Sequence, residues 1–251
     1  TQRPMRFPEN IFQSICEHLL PSACIICQEF QQYAICNKCL SSLMHDALFN
    51  YQCCYQCGIA LQISELTEQR CIPCQTNQPC FDETYCLDRY EGVLQKPLHA
   101  LKYQKRIAFA KAISQTWNLL LGKDLKQISA NFLLPVPLST QKLAQRGFNQ
   151  SWELARRVQC GGYIQKSPYI LRRHHHSGRQ AGSTLDSRRF AIQEMFYVEK
   201  KYVECLKNKT VIVFDDVMTS GATLNEIARV LKDNGVSRVI NWVVLRAARP
   251  I

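Results

Sequence analysis

No run in the chain approaches the ~18 consecutive apolar residues of a membrane-spanning helix, so no such span is expected. The pattern G-x-x-x-x-G-K-[ST] is missing, which excludes a P-loop for nucleoside triphosphates. The first residues show no basic start followed by a long apolar core, so a secretory signal is not expected and the cytoplasm is the expected compartment. Repeats of solenoid length are not evident. No side chain stands out as a general base.

What the chain has in quantity is cysteine and positive charge, at opposite ends. Twelve of its 14 cysteines lie at or before Cys86. Residues 1–86 hold 4 Lys/Arg against 8 Asp/Glu, whereas residues 87–251 hold 27 against 12, so the overall +11 understates a strongly basic C-terminal part. Such asymmetry suggests a polyanionic partner, with service to a pyrophosphate-bearing substrate as the alternative. The expected division is therefore a cysteine-rich region over 1–86 and a basic domain over 87–251. Within the first, Ile11, Phe12, Ile15, Leu19 and Leu20 share a helical face over Pro8–Leu20, read as a docking helix rather than a membrane-surface helix.

Four C-x2-C knuckles follow: Cys24 and Cys27, Cys36 and Cys39, Cys54 and Cys57, Cys71 and Cys74. Two thiolates per knuckle and two knuckles per ion satisfy a tetrahedral zinc, so one or two structural zinc ions are expected. Sequential and interleaved pairings both close two such sites. The rival is a disulfide framework, which the knuckle spacing and the absence of a signal disfavour. Removing the metal is expected to unfold this region and to spare the rest.

The stretch Val211–Thr223, VIVFDDVMTSGAT, reads as a buried parallel strand that ends in Asp215 and Asp216 and opens through Thr219, Ser220 and Gly221 into a helix over Ala222–Lys232. A helix start leaves amides unpaired and partially positive, so this turn suits a phosphate. The two carboxylates suit sugar hydroxyls or hydrated Mg²⁺. Upstream, Asn131–Leu138 (NFLLPVPL) is a strand cut short by proline, and Arg146, Gly147, Phe148, Asn149 and Gln150 form a polar turn with a fork-shaped cation. Lys102, Lys105 and Arg106 form a cationic knot, and Leu171–Phe190 carries Arg172, Arg173, Arg179, Arg188 and Arg189 in a loop-like composition. His174, His175 and His176 are read as solvated loop residues.

The stretch Val211–Thr223 resembles the phosphoribosyl pyrophosphate (PRPP) loop of type I phosphoribosyltransferases. The order of knuckle cysteines, LKY segment, LPVPL, RGFNQ and VIVFDD loop resembles the ComF family of competence proteins. That likeness implies an α/β fold: a parallel-sheet type I phosphoribosyltransferase-like domain behind a small zinc-binding region. It implies PRPP with Mg²⁺ at Asp215, Asp216, Thr219, Ser220, Gly221, Ala222 and Thr223, with Asp215, Asp216 and Arg146 as catalytic candidates. It further implies a closing loop carrying Arg173, Gln180 and Arg188, single-stranded DNA as a partner, and a helicase or recombination protein as a second one. Ala191 stands where the family often has Asn, and the histidine triplet is outside the pattern. PRPP binding without turnover and transfer to an unidentified nucleobase-like or nucleotide-related acceptor both remain open. The DNA contacts are expected from Lys102, Lys105, Arg106, Arg172, Arg173, Arg179, Arg188 and Arg189.

Overall fold

A computed structural model describes residues 22–174 and 195–248; the expected helix over Pro8–Leu20 lies outside them. A short antiparallel ribbon, β1 (Ser22–Ala23) and β2 (Phe30–Gln31), precedes helix α1 (Asn37–Asp46). Strand β3 (Glu83–Arg89) leads to α2 (Gln95–Tyr103) and α3 (Ala108–Leu120). Next come β4 (Phe132–Pro135), α4 (Thr140–Arg146), α5 (Gln150–Ala155) and β5 (Gln165–Lys166). An antiparallel ribbon of β6 (Leu171–Arg173) and β7 (Phe196–Val198) follows. The described chain closes with β8 (Thr210–Met218), α6 (Ala222–Asp233) and β9 (Arg238–Arg246).

Five of these strands form one sheet in the order β3-β9-β8-β4-β5, with every neighbouring pair parallel. Alternation sends Ile212, Phe214, Ile240 and Trp242 to one face and Val211, Val213, Val239 and Val243 to the other, and both sets are buried. On the first face Trp117 of α3 packs at ring-centroid distances of 5.4 Å from Phe214 and 5.7 Å from Trp242. Trp117, Phe214 and Trp242 are fully buried, so this aromatic cluster fixes the floor beneath the acidic pair. The other face is covered by α6, the β6–β7 ribbon and the second group of cysteines.

Two expectations are corrected. Strand β8 does not end in its carboxylates but runs past them to Met218, pairing with β9 from Asp215↔Val243 to Met218↔Arg246. Its other neighbour, β4, pairs only as far as Pro135 opposite Phe214; the Val136 N–H gives a last bond to the Phe214 carbonyl at 2.9 Å, and Pro137 follows without a donor. The acidic pair is thus backed by one strand and open on the other side. The domain division at residue 86 falls inside β3, whose residues Glu83 to Arg89 pair with β9. Cys54, Cys57, Cys71 and Cys74 share one apolar cluster with Val213, Leu224 and Val243. The second knuckle pair is therefore built into the sheet's core, and the expectation that it unfolds separately is replaced by one of shared stability.

Candidate functional site

The carboxyl end of β8 holds the acidic pair. Asp215 accepts a hydrogen bond from the Ser151 hydroxyl at 3.1 Å and from the Asp216 backbone N–H at 2.9 Å. Asp216 is buried, and one of its oxygens lies 2.8 Å from the Lys102 ammonium. The angles there do not meet hydrogen-bond geometry, so charge rather than alignment holds the contact. Burial and then the negative Asp216 push the Asp215 carboxyl up to about 7, against the opposing effects of Lys102 and Ser151.

Beyond Met218 the chain turns into α6 through Gly221, whose φ of 81° is left-handed. A side chain there would also place its Cβ 2.6 Å from the Met218 methyl. Gly221 brings no capping side chain to this helix, the Ser220 hydroxyl accepts from the Ala222 N–H at 3.4 Å, and Thr219 and Ser220 are exposed beside the helix start. The arrangement sets a helix start, which suits an anion, beside two carboxylate acceptors.

Two residues of the RGFNQ run, Gly147 and Asn149, cap helices. Gly147, at φ 82°, ends α4 and donates to the Leu143 carbonyl at 2.7 Å. Asn149 caps α5 by accepting from the Ser151 and Trp152 amides, and it donates to the Val136 carbonyl at 3.0 Å. That cap ties α5 to the end of β4 and aims Ser151 at Asp215. Arg146 donates to Gln150 at 2.6 Å and lies 5.2 Å over the ring of Tyr103, the residue after Lys102.

The cationic candidates separate. Lys102 turns inward to Asp216, whereas Lys105 and Arg106 are exposed, the latter 5.6 Å over the Phe109 ring. Arg172 lies 3.7 Å from Glu199, and Arg173 is half-buried with its guanidinium 5.6 Å over Phe196. His174, just past β6, is exposed, with its ring 4.3 Å from that of Tyr197. Its N–H donates to the Met195 carbonyl at 2.9 Å, which pins together the two ends of segment 175–194. Gln180, Arg179, Arg188 and Arg189 lie in that segment, outside the described residues.

The cysteines pair sequentially: Cys24, Cys27, Cys36 and Cys39 form one group, and Cys54, Cys57, Cys71 and Cys74 the other. Within each group the sulfurs lie within 4.8 Å of one another, with Cys27–Cys36 at 3.8 Å and Cys57–Cys71 at 3.5 Å. A tetrahedron with metal–sulfur bonds of about 2.3 Å has edges of roughly 3.8 Å, so both groups fit such an ion. The thiols also constrain one another. Hydrogen bonds from Cys57 and Cys74 push Cys54 down, and facing Cys54 pushes Cys74 up, as expected of sulfurs that ionise together only around a cation. The N–H groups of Cys36 and Cys39 lie 3.5 Å and 3.4 Å from the sulfurs of Cys24 and Cys36.

Lys102 as an acid-pair partner, Ser151 as an Asp215 donor, and Arg246 were missed from the sequence. Arg246 ends the apolar run VINWVVL, and a single cation closing a buried strand is the signal that was available. Among the described residues no helix is long and apolar enough to cross a membrane.

Residues 153–250 match the phosphoribosyl transferase domain family. The chain is 25% identical over 230 residues to competence protein F of Haemophilus influenzae, covering 89% of this chain and 96% of that protein. DNA utilization protein YhgH of Escherichia coli is 26% identical over 235 residues, covering 90% and 98%. Competence protein ComFC of Streptococcus pneumoniae is 21% identical over 232 residues, covering 89% and 99%. With the all-parallel central sheet, these likenesses give a type I phosphoribosyltransferase fold with a four-cysteine cluster near its N-terminal end.

Proposed function

We propose, for a chain homologous along most of its length to the ComF-type competence proteins, that it binds PRPP and takes part in uptake or processing of transforming single-stranded DNA. One observation carries the ligand: Asp215 and Asp216 stand near the open end of β8, and a glycine-led helix start follows after the short turn that leaves Met218. In this reading the carboxylates accept hydrogen bonds from the ribose hydroxyls, and the amides and hydroxyls of Thr219 to Thr223 hold the 5′-phosphate. In this reading Lys102 and Arg146 are the cations that would meet the pyrophosphate, supported by Lys102 beside Asp216 and Arg146 over the ring of Tyr103. Mg²⁺ bound with the ligand would supply further charge neutralisation to that pyrophosphate. Zinc is the ion proposed for both cysteine groups, because four thiolates in a closed tetrahedral set suit it. Reduced thiolates favour a reducing, cytoplasmic setting.

A second reading, transfer of the phosphoribosyl group to a nucleobase-like acceptor, is favoured by Asp215. A carboxyl pushed up to about 7 can take a proton from an acceptor nitrogen near neutral pH.

Calorimetry with PRPP and Mg²⁺ tests the ligand. The wild type is expected to bind, and an Asp215→Asn/Asp216→Asn double variant to lose about tenfold or more in affinity, in line with the loss of charge-assisted hydrogen bonds. Equal, weak heats for both proteins would sink the PRPP reading. For the DNA role, single-stranded oligonucleotide affinity is expected to fall steeply with salt, as cation–phosphate contacts require. A flat salt response would remove the basic surface from the account.

A further inference from the structure

We infer that the second cysteine group holds the phosphate turn in place through Arg246, so that anion binding at the turn depends on the metal at Cys54, Cys57, Cys71 and Cys74. This inference rests on the reading of that turn as a phosphate site. Arg246, at the carboxyl end of β9, is only 6% exposed. Its Nε donates to the carbonyl of Cys57 at 2.9 Å. Its Nη1 lies within hydrogen-bond reach of the carbonyls of Met218 at 3.1 Å, of Thr219, and of Ala247 at 3.0 Å. One rigid guanidinium therefore bridges a metal-ligand residue of the knuckle and the first residues of the turn.

Three further contacts tie the same two parts together. Asn225, in the first turns of α6, accepts from the Cys80 amide at 2.6 Å. Lys232, near the other end of α6, is 2.9 Å from Asp82. Phe81 lies 3.9 Å from where a Gly221 side chain would begin. The segment leaving the knuckle, Cys80 to Asp82, thus lies along the phosphate helix. In the knuckle itself, Gln56 donates to the Phe81 carbonyl at 3.2 Å, and its own carbonyl accepts from the Thr84 hydroxyl at 2.6 Å.

Charge gives the coupling a direction. Among the described residues no carboxylate lies within ion-pairing distance of Arg246, so its partners are carbonyl dipoles. A buried cation is stable only when neutralised or fully hydrogen-bonded. Four thiolates around a divalent ion carry a net charge of about −2 and supply a fixed negative neighbour while keeping the Cys57 carbonyl in position. Once the ion is lost, the knuckle relaxes and the Cys57 carbonyl is no longer held against Arg246. The carbonyls of Met218 and Thr219 are then released at the point where the turn begins.

The test is amide hydrogen exchange on the full chain, with metal content measured alongside. A Cys71→Ser/Cys74→Ser variant, which leaves Cys57 intact, is expected to lose one metal equivalent and to exchange at least about tenfold faster over residues 218–227, a local opening rather than a global one. Cys36→Ser/Cys39→Ser also loses one equivalent but is expected to leave that stretch as in the wild type. Arg246→Lys keeps the charge without the fork, and is expected to retain both metals, to show the faster exchange, and to bind ribose 5-phosphate about tenfold more weakly with β8 and β9 still protected up to Phe214 and Leu245. If Cys71→Ser/Cys74→Ser does not fold, Arg246→Lys decides. Wild-type exchange over 218–227 in the folded Arg246→Lys protein, or an equal effect from the first cysteine group, overturns the inference. Exchange is read without ligand, so a wild type that fails to bind ribose 5-phosphate or PRPP would instead overturn the reading of the site.

Discussion

At pH 8 an Asp215→Asn variant is expected to melt about 5 °C higher than the wild type, while losing PRPP affinity. The cause is the carboxyl pushed up to about 7 by burial and by Asp216. In the unfolded chain this group releases its proton near pH 4; in the fold it keeps the proton to about 7. Between those values the folded state binds more protons, so stability falls as pH rises from about 4 to about 7 and then stays at the lower level. An isosteric amide carries no such cost. The gain is on the order of 2 kcal/mol, discounted for coupling with Asp216 and Lys102, and in a chain of this size each kcal/mol is about 2–4 °C. Melting curves of both proteins from pH 4 to 9 provide the measurement, with the difference growing through the window and level above it. A difference independent of pH would show that Asp215 ionises freely in the fold. A carboxylate that costs stability and, in the proposed reading, would serve a ligand is the kind of local conflict expected at a functional site.

Much of the site was legible in the sequence because its chemistry is contiguous. The strand, the acidic pair, the left-handed Gly221 and the helix start occupy thirteen successive positions, Val211 to Thr223, and local rules of burial and capping read them in order. The zinc-type knuckles were legible for the same reason, although their pairing needed the fold. What spacing could not give were contacts between distant segments. Lys102 reads as one of three clustered cations, and only the packing of α2 against the sheet turns it, unlike Lys105, toward Asp216. Ser151 is an ordinary helix residue until the Asn149 cap sets its direction. The division at residue 86 failed because composition marks where cysteines stop, whereas β3 is recruited by β9, far along the chain. The cysteine-rich region ends in composition before it ends in structure.

The largest effect on the ligand-free protein is expected from Lys102→Met. The Lys102 side chain is 16% exposed and that of Asp216 5%, so removing the ammonium leaves a carboxylate buried without its charge partner. Breaking such a pair from one side costs about 3 kcal/mol, which corresponds to a fall of roughly 8 °C in melting temperature. Asp216→Asn alone removes the charge that Lys102 neutralises, and Lys102→Met in that background is expected to change melting by less than about 2 °C. A double-variant cycle on thermal melts therefore isolates the pair, and additive losses would show that Lys102 stabilises through its methylenes instead. The same variant separates two roles at the site. If Lys102 also meets pyrophosphate, Lys102→Met weakens PRPP far more than ribose 5-phosphate, which lacks that group. If it only neutralises Asp216, the two ligands lose affinity alike. The unequal loss is the expected result, because Lys102 is followed by Tyr103, over whose ring Arg146 is stacked, and a second cation on that side has no carboxylate partner among the described residues.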